Sequence, residues 1–222
     1  MATVQRSQPT CGVKRLSATI LTLVCATALA GCFTGQRPSF ENDEPLEAET
    51  GVAEVDAILE RLDAVGPTQF TANYEILTRL GSQESTAIVV QADNSRRSIT
   101  INDVRFIDST DKTATCNLQS GECEATLNDA RVSDLQMNHN FYARSFARRL
   151  RVDTNRRVGE VNGYTITQAD QQVQCVDIPV TGGNVTYCAL DSGPLARYDG
   201  ADLFIEMTSF SDVPDESAFA TE

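Results

Sequence analysis

Apolar side chains first recur at helical spacing between residues 52 and 62. The positions fall at i, i+3, i+6, i+7 and i+10, and they are Val52, Val55, Ile58, Leu59 and Leu62. This spacing places the five side chains on one face of a helix, and Gly66-Pro67 is a typical sequence for a helix end. We therefore predict an amphipathic helix at the start of the folded domain.

From residue 70 onward the apolar period is two, which is typical of strands. The first strand alternates over residues 70–80, and shorter runs follow it, separated by turn sequences such as Gly81-Ser82 and Asp93-Asn94. The later predicted strands are 85–91, 97–101, 104–107, 113–118, 122–127, 164–168, 171–178, 185–190, 196–198 and 202–210. Short strands with brief turns between them predict an antiparallel meander.

Residues 133–151 interrupt this meander with helical periodicity. The segment has an apolar stripe of Leu135, Tyr142, Phe146 and Leu150, and a second stripe of Arg144, Arg148 and Arg151. Two such stripes predict a basic amphipathic helix that packs on the sheet.

The first 32 residues have the pattern of a secretory signal peptide. Lys14 and Arg15 precede an uncharged apolar run, residues 20–30, that is shorter than the about 20 residues of a membrane span. The run ends in Leu29-Ala30-Gly31-Cys32, the pattern of a bacterial lipobox, in which the cysteine thiol receives a diacylglyceryl group with fatty acyl chains such as palmitate. The alternative is an ordinary signal peptide in which Cys32 is incidental. We predict an exported lipoprotein, anchored through Cys32 on the extracytoplasmic face of a cell membrane.

Cleavage before Cys32 changes the charge of the protein. The 222 residues include 31 Asp and Glu against 18 Lys and Arg, a net charge of −13. Residues 1–31 hold three of the basic residues and no acid, so the remaining 191 residues carry −16. Such an acidic chain lacks the basic face that nucleic-acid binding requires.

The predicted organisation is a signal peptide (1–31), a lipidated and acidic disordered tether (32–50), one domain (51–211) and an acidic tail (212–222) that frays unless Phe219 packs back.

Four of the seven cysteines belong to the predicted domain: Cys116, Cys123, Cys175 and Cys188. An even number of cysteines in an exported chain indicates disulfides. Three connectivities are possible, and we favour local pairing because the separations of 7 and 13 are odd, as hairpin partners require. A four-thiolate zinc site is the alternative, but the close Cys-x-x-Cys spacing of such sites is missing.

The only histidine of the chain, His139, stands between Asn138 and Asn140 without a nucleophile motif. A capping or surface role is therefore favoured over that of a catalytic base. The sequence predicts no enzymatic activity, no metal and no cofactor.

Five segments of the predicted domain have a recognisable family pattern: the strand start Asp63 to Tyr74, the segment Arg157 to Tyr164, Thr186-Tyr187-Cys188, Asp191 to Arg197, and the closing strand Asp202 to Phe210. They resemble the lipoprotein-carrier superfamily of LolA-like proteins and its lipid-anchored actinobacterial members of the LppX and LprG type. The resemblance covers roughly residues 50–211. It implies an α+β fold in which a curved, unclosed antiparallel half-barrel has the N-terminal and inserted helices over its concave face.

The resemblance also implies a hydrophobic cavity for acyl chains. The side chains expected to line it are Phe70, Tyr74, Ile76, Ile88, Phe106, Tyr142 and Phe146. The alternative is that the same residues fill a core, since alternation predicts burial in either case. The arginines at 144, 148 and 151 could bind an anionic lipid headgroup, whereas we favour a solvated helix face balanced by the domain's own carboxylates.

Two functions follow as hypotheses. In the first, a monomeric, membrane-anchored envelope lipoprotein binds, carries or presents a lipid or an acylated ligand such as a lipoprotein. In the second, the same fold has a filled core and serves as an interaction or sensor module for an envelope protein partner.

Overall fold

The computed structural model describes residues 49–64, 69–93, 96–130 and 137–220. These residues belong to one unit of the chain, Glu44–Glu222. The predicted signal peptide, Cys32 and the tether up to residue 48 lie outside the described residues, as does Leu135. The elements are α1 (Ala53–Asp63), β1 (Phe70–Thr78), β2 (Gln83–Asp93), β3 (Arg96–Ile101), β4 (Val104–Asp108), β5 (Thr113–Asn117), β6 (Cys123–Glu124), α2 (Arg144–Asn155), β7 (Asn162–Gln168), β8 (Gln171–Val180), β9 (Gly183–Leu190), β10 (Leu195–Asp199), β11 (Leu203–Ser211) and a 3-10 helix (Glu216–Phe219).

All eleven strands belong to one antiparallel sheet. Its order is β6-β5-β4-β3-β2-β1-β11-β10-β9-β8-β7, so two meanders meet where the first strand pairs with the last. Within the described residues the outermost strands, β6 and β7, do not pair with each other, and the sheet is therefore not closed. This unclosed antiparallel sheet with its two α-helices confirms the predicted half-barrel fold class.

The helices pack on one face of the sheet, which we call the inner face. Phe70, Tyr74 and Ile76 of β1 point to this face and are buried. Their neighbours across the strands include Ala87 of β2 and Ile205 of β11, which are buried as well. The alternation that predicted β1 therefore marks the side on which the core lies.

Helix α1 agrees with the predicted amphipathic helix. Four of the five predicted apolar positions are buried, Val55, Ile58, Leu59 and Leu62, while Val52 precedes the first turn and is partly buried. The Asp56 carboxylate accepts hydrogen bonds from the Thr50 backbone amide at 2.7 Å and the Thr50 hydroxyl at 2.8 Å. These bonds fix the chain just before the helix. The negative charge of Asp56 in the first turn also interacts favourably with the helix dipole.

The inserted helix begins later than predicted. Regular helix α2 covers Arg144–Asn155 rather than 133–151. The Asn138 side chain accepts a bond from the Asn140 amide at 2.9 Å, and the Asn140 carbonyl accepts one from the Ser145 hydroxyl at 2.8 Å. Such side chain to backbone bonds compete with helical hydrogen bonds, which is why the asparagine pair stands before the helix.

The predicted strand 122–127 is also shorter than expected, since β6 has only two residues. The Thr115 hydroxyl donates to the Thr126 carbonyl at 2.7 Å and accepts from the Asn128 amide at 2.9 Å. The Thr115 side chain thus forms hydrogen bonds with backbone groups that would pair with β5 if β6 were longer. The sheet ends here in a short edge.

The C-terminal tail packs on the outer face of the sheet through residue 220. The Ser98 hydroxyl donates to the Ala218 carbonyl at 2.7 Å, and the Phe219 ring packs against a small cluster that includes Ile107 and Ala114. The Arg96 guanidinium lies 4.9 Å from the centre of the Phe219 ring. Of the two outcomes stated from the sequence, these residues follow the second, in which Phe219 packs back, because Phe219 has an apolar surface to cover.

Both predicted disulfides are present. Cys116 is bonded to Cys123 and Cys175 to Cys188. In each pair the two residues stand directly opposite each other on neighbouring strands, β5–β6 and β8–β9. The local connectivity is therefore confirmed, and each bridge joins the two strands of one hairpin.

No helix in the described part of the chain combines the length and the apolar character that a bilayer span requires.

Candidate functional site

The segment 137–155 places three aromatic side chains, Phe141, Tyr142 and Phe146, against the inner face; we call them the aromatic wedge. Each ring meets a ring of the sheet, and the centroid distances are 5.1 Å for Phe141–Tyr74, 6.0 Å for Tyr142–Phe70 and 4.8 Å for Phe146–Tyr198. All three contacts are edge-to-face, the arrangement that aromatic quadrupoles favour. Side chains therefore occupy the space between this segment and the sheet.

Six of the seven residues expected at an acyl cavity take part in this packing. They are Phe70, Tyr74, Ile76, Phe106, Tyr142 and Phe146, and none is more than 5% exposed. Ile88 does not join them: it lies opposite Asn73 on the outer face and is 42% exposed. The prediction for Ile88 is wrong because β2 contains an unbroken apolar run, Ala87 to Val90, in which alternation does not reveal the inward side.

A polar cluster ties the wedge to the first half of the sheet. The Arg97 guanidinium on β3 donates to the Asp108 carboxylate on β4, its cross-strand partner, and its charge opposes the rise that burial causes in the pKa of Tyr142. It also reaches the Asn140 side chain at 3.5 Å. Sequence reasoning missed this cluster. The sequence does contain a signal for the Arg97–Asp108 pair. Each residue stands five positions from the turn at residues 102–103, so a hairpin places them opposite each other.

Tyr74 has a buried hydroxyl that finds no hydrogen-bond partner among the described residues. Its side chain is 1% exposed. Burial, with a smaller contribution from Tyr142, raises the pKa of Tyr74 well above the usual value because the phenolate would lose its hydration. A buried and unpaired hydroxyl lowers stability, and it can serve as a donor to a polar group that comes close.

The arginines of α2 do not share one exposed face. Arg149 donates to Asp202 at 2.5 Å and lies 4.6 Å from the centre of the Tyr198 ring. Arg151 donates to Asp63 of α1 at 2.6 Å, and its side chain is only 11% exposed. These two residues therefore hold α2 to the rest of the domain.

Arg144 and Arg148 are exposed on the surface of α2. Of the three predicted headgroup ligands, Arg151 is therefore already paired with the carboxylate of Asp63, and only Arg144 and Arg148 are exposed. For Arg151 the pairing agrees with the alternative stated from the sequence, in which the domain's own acids balance the arginines.

His139 is held on both sides by its own chain. Its Nδ1 lies 2.9 Å from the Asp129 carboxylate and its Nε2 lies 3.1 Å from the Asn140 amide nitrogen. With Asp129 as acceptor and Asn140 as donor, the neutral ring has Nδ1 protonated and both nitrogens bonded. This arrangement gives His139 a structural role in the loop before the wedge.

Among the described residues, two of the larger open grooves lie outside the core. One, of about 440 Å³, crosses the outer face and is lined by residues that include Glu75, Glu84, Asn102 and Phe204. The other, of about 530 Å³, runs beside α1 and carries Glu60, Asp63 and Arg151. Both grooves contain carboxylates, and the lining of the first also includes Ile76 and Leu77. Within the described residues no group of histidines, cysteines and acids could hold a metal ion.

Strand β7 forms an exposed edge of the sheet. It pairs with β8 on one side, and no described strand pairs with its other side. Asn162, Gly163, Thr165 and Thr167 are exposed along it. Sequence analysis found this strand but not its position at the edge, because strand order is a property of the whole sheet.

The sequence matches no protein-family model and no curated protein. Among solved structures it is similar to MucB of Pseudomonas aeruginosa in complex with MucA, with 10% identity, a TM-score of 0.49, and coverage of 76% of this chain and 61% of MucB. The chain thus spans about three fifths of that protein.

Two further similar structures are smaller proteins. LprF from Mycobacterium bovis has 8% identity and a TM-score of 0.37, with 71% of this chain and 92% of LprF covered. A LolA superfamily protein from Nitrosomonas europaea has 11% identity and a TM-score of 0.36, with 76% and 96% covered. These likenesses concern the course of the chain alone.

Proposed function

We propose that the protein is an exported, membrane-tethered interaction module. Its half-barrel has a filled interior and binds an envelope protein partner through its surface, without catalysing a reaction. The observation that carries this proposal is the aromatic wedge, because Phe141, Tyr142 and Phe146 occupy the place that an acyl chain would need.

A comparison of free energies favours the filled interior. An acyl chain of about a dozen methylenes gains on the order of 10 kcal/mol from burial, before the cost of association. Its entry would expose the three wedge rings, whose burial contributes about 1.5–3 kcal/mol each. It would also separate the Arg97 guanidinium from the Asn140 side chain just before the wedge. The gain is then close to the loss, and the association cost of about 4 kcal/mol or more tips the balance toward the packed state.

The tether of the proposed module is Cys32. The sequence Leu29-Ala30-Gly31-Cys32 after an apolar run supports lipidation at this thiol and cleavage before it. The acidic segment that follows links the anchor to the domain. The proposal therefore places the domain on the extracytoplasmic face of the membrane, as a monomer.

The anchor can be tested by replacing Cys32 with serine. We expect the C32S protein to leave the membrane fraction and appear in the soluble extracytoplasmic fraction, because the hydroxyl of serine cannot accept the thioether-linked lipid. Fractionation followed by intact-mass measurement checks the result. A Cys25→Ser variant is the matched control, since Cys25 lies inside the predicted signal and should not affect anchoring. Retention of C32S in the membrane would show that the anchor assignment is wrong.

Lipid binding is the second candidate function, and the Tyr74 hydroxyl is the observation that favours it. This buried donor has no partner among the described residues. A lipid carbonyl or hydroxyl next to the wedge would accept its hydrogen bond. In this case the wedge would have to move, so that α2 would act as a lid.

Native mass spectrometry of the full-length C32S protein separates the two candidates. The filled module is expected to carry no stoichiometric lipid, and lipid extraction should return only traces. A stoichiometric lipid whose occupancy falls in Tyr74→Phe but not in Tyr164→Phe would establish lipid binding and overturn the filled-core proposal. Tyr164 is a suitable control because its hydroxyl already donates to Asp177 at 3.0 Å, on the other face of the sheet.

A further inference from the structure

The two edges of the sheet differ in length. The β6 edge has two residues and ends in a disulfide, whereas the β7 edge has seven residues, Asn162–Gln168. Natural proteins shield long edge strands with proline, lysine, bulges or a covering segment. The β7 sequence contains no proline and no charge, its pairing with β8 is continuous, and Tyr164, Thr165 and Ile166 at its centre favour strand structure.

The register of the β7–β8 hairpin shows which backbone groups point to the free side. Gln168 and Gln171 flank a two-residue turn, Ala169 and Asp170, in which both residues have positive φ. They therefore form a hydrogen-bonded pair, and the pattern alternates from there along the strand. The amide and carbonyl groups of Gly163, Thr165 and Thr167 consequently point away from β8. No backbone group of a described residue forms a hydrogen bond with the outward amide and carbonyl groups of these three residues.

Carboxylates stand at both ends of this edge. Glu160 precedes the strand and Asp170 follows it, and both are exposed. Glu54 of α1 lies over the inner side of the strand start, so close to Gly163 that an added Cβ would come within 2.7 Å of its Cγ. The nearby Arg157 donates to the Thr154 carbonyl at the end of α2. An occupant of the edge thus meets negative charge at each end.

This charge arrangement disfavours a second copy of the chain. In the antiparallel pairing that uses the whole strand, Thr165 would face Thr165 of the copy. Glu160 would then face Asp170 of the copy, and the same contact would occur twice. Like charges placed directly opposite each other destabilise strand pairing. An extended segment with basic ends would instead place opposite charges next to Glu160 and Asp170, which stabilises strand pairing.

We propose that the β7 edge is the partner-binding site of the module and that it accepts an extended segment of a partner protein, in which about seven residues pair with β7 and Lys or Arg flanks them at both ends. This inference rests on the proposed function and specifies its site. Binding adds a twelfth strand to the sheet. The outward groups of Gly163, Thr165 and Thr167 make the backbone hydrogen bonds, and Glu160 and Asp170 attract the basic ends.

The test uses the full-length C32S protein and a synthetic, end-capped peptide, Arg-Thr-Val-Thr-Val-Thr-Val-Thr-Arg. We expect binding by calorimetry and slower hydrogen exchange at the amides of Gly163, Thr165 and Thr167. Replacing the terminal arginines by glutamates should abolish the binding. N-methylation of the alternate peptide amides that point toward β7 should also abolish the binding. N-methylation of the other amides, which point away from β7, should not.

Two protein variants locate the binding site. Thr165→Pro removes one outward amide and leaves the β8 ladder intact, since proline is tolerated where an edge strand faces solvent. It should weaken binding by at least about tenfold, whereas the matched control Thr165→Val should bind as the parent does. Glu160→Gln combined with Asp170→Asn should reduce the affinity several-fold and flatten its salt dependence.

The outcomes distinguish this inference from the proposed function. Failure of the Arg-ended peptide to bind, or binding that Thr165→Pro leaves unchanged, would overturn the β7 site. A concentration-dependent dimer that Thr165→Pro abolishes would show that a second copy is the occupant, and would also overturn it. Neither result affects the filled-core module, which fails only if the native mass spectra show a stoichiometric lipid.

Discussion

Replacing Phe146 with alanine should lower the free energy of unfolding by about 3–5 kcal/mol. Phe146 is 5% exposed and lies between the rings of Tyr187 at 6.4 Å and Tyr198 at 4.8 Å. Its loss leaves a cavity between α2 and the inner face, and it takes an apolar neighbour from Arg149, whose guanidinium is 5.8 Å from the ring centre. Since domains are stable by about 5–15 kcal/mol, the variant should unfold at a much lower urea concentration.

Urea unfolding of the C32S protein, followed by far-ultraviolet circular dichroism, measures this effect. Phe146→Leu should lose much less stability, because it keeps most of the buried volume. Arg144→Ala on the same helix should remain within about 0.5 kcal/mol of the parent, since Arg144 is exposed. A loss below about 1 kcal/mol in Phe146→Ala would mean that α2 does not depend on the wedge for its position.

The second large effect is expected at alkaline pH. Burial raises the pKa of all five tyrosines of the chain above the usual value; they are Tyr74, Tyr142, Tyr164, Tyr187 and Tyr198. For a group whose pKa is higher in the folded state, the unfolded chain releases its proton first as the pH rises. The stabilising contribution is therefore complete below a pH of about 10, and it is lost as the pH rises from there toward the folded pKa. Each of the four buried tyrosines, Tyr74, Tyr142, Tyr187 and Tyr198, contributes a slope of about 1.4 kcal/mol per pH unit over this range, and the partly exposed Tyr164 contributes less.

We expect the tyrosinate absorbance to rise together with the loss of circular dichroism, in one step above a pH of about 10. Tyr74→Phe is the informative variant: because the Tyr74 hydroxyl has no partner among the described residues, the variant should be as stable as the parent at neutral pH, or more stable. It should also resist alkali better. Tyr187→Phe is its contrast, since it loses a bond to Asp153 of 2.5 Å and should be less stable at neutral pH. Titration of most tyrosines near pH 10 with full circular dichroism would contradict the packed interior.

Local patterns along the chain predicted most of the secondary structure. The helical spacing of Val55, Ile58, Leu59 and Leu62 located α1, and strict alternation from Phe70 located β1 and its buried side. The odd spacing of the cysteine pairs identified both disulfides, which the opposed positions in the hairpins confirm. Each of these features depends on neighbours within a few residues or on a single hairpin.

The predicted side-chain orientation and element bounds were wrong where the local sequence pattern was ambiguous. The apolar run Ala87–Val90 left the orientation of Ile88 undetermined, and the cross-strand register decided it. The bonds of Asn138 and Asn140 delayed the start of α2, and the Thr115 hydroxyl shortened the strand after Cys123. In each case one polar side chain or one register outweighed the periodicity.

By itself, the sequence determined the element order, the two hairpin disulfides and the negative charge of the domain, because these depend on short-range patterns and on composition; the export signal with its Cys32 stays a prediction from the same kind of pattern. The tertiary structure decided whether buried aromatic residues line a cavity or fill a core, since alternation predicts burial in both. It also decided that Arg149 and Arg151 bind the domain's own acids, and that β7 lies at an open edge. Those outcomes depend on contacts between residues far apart in the chain, and only the folded sheet brings those residues together.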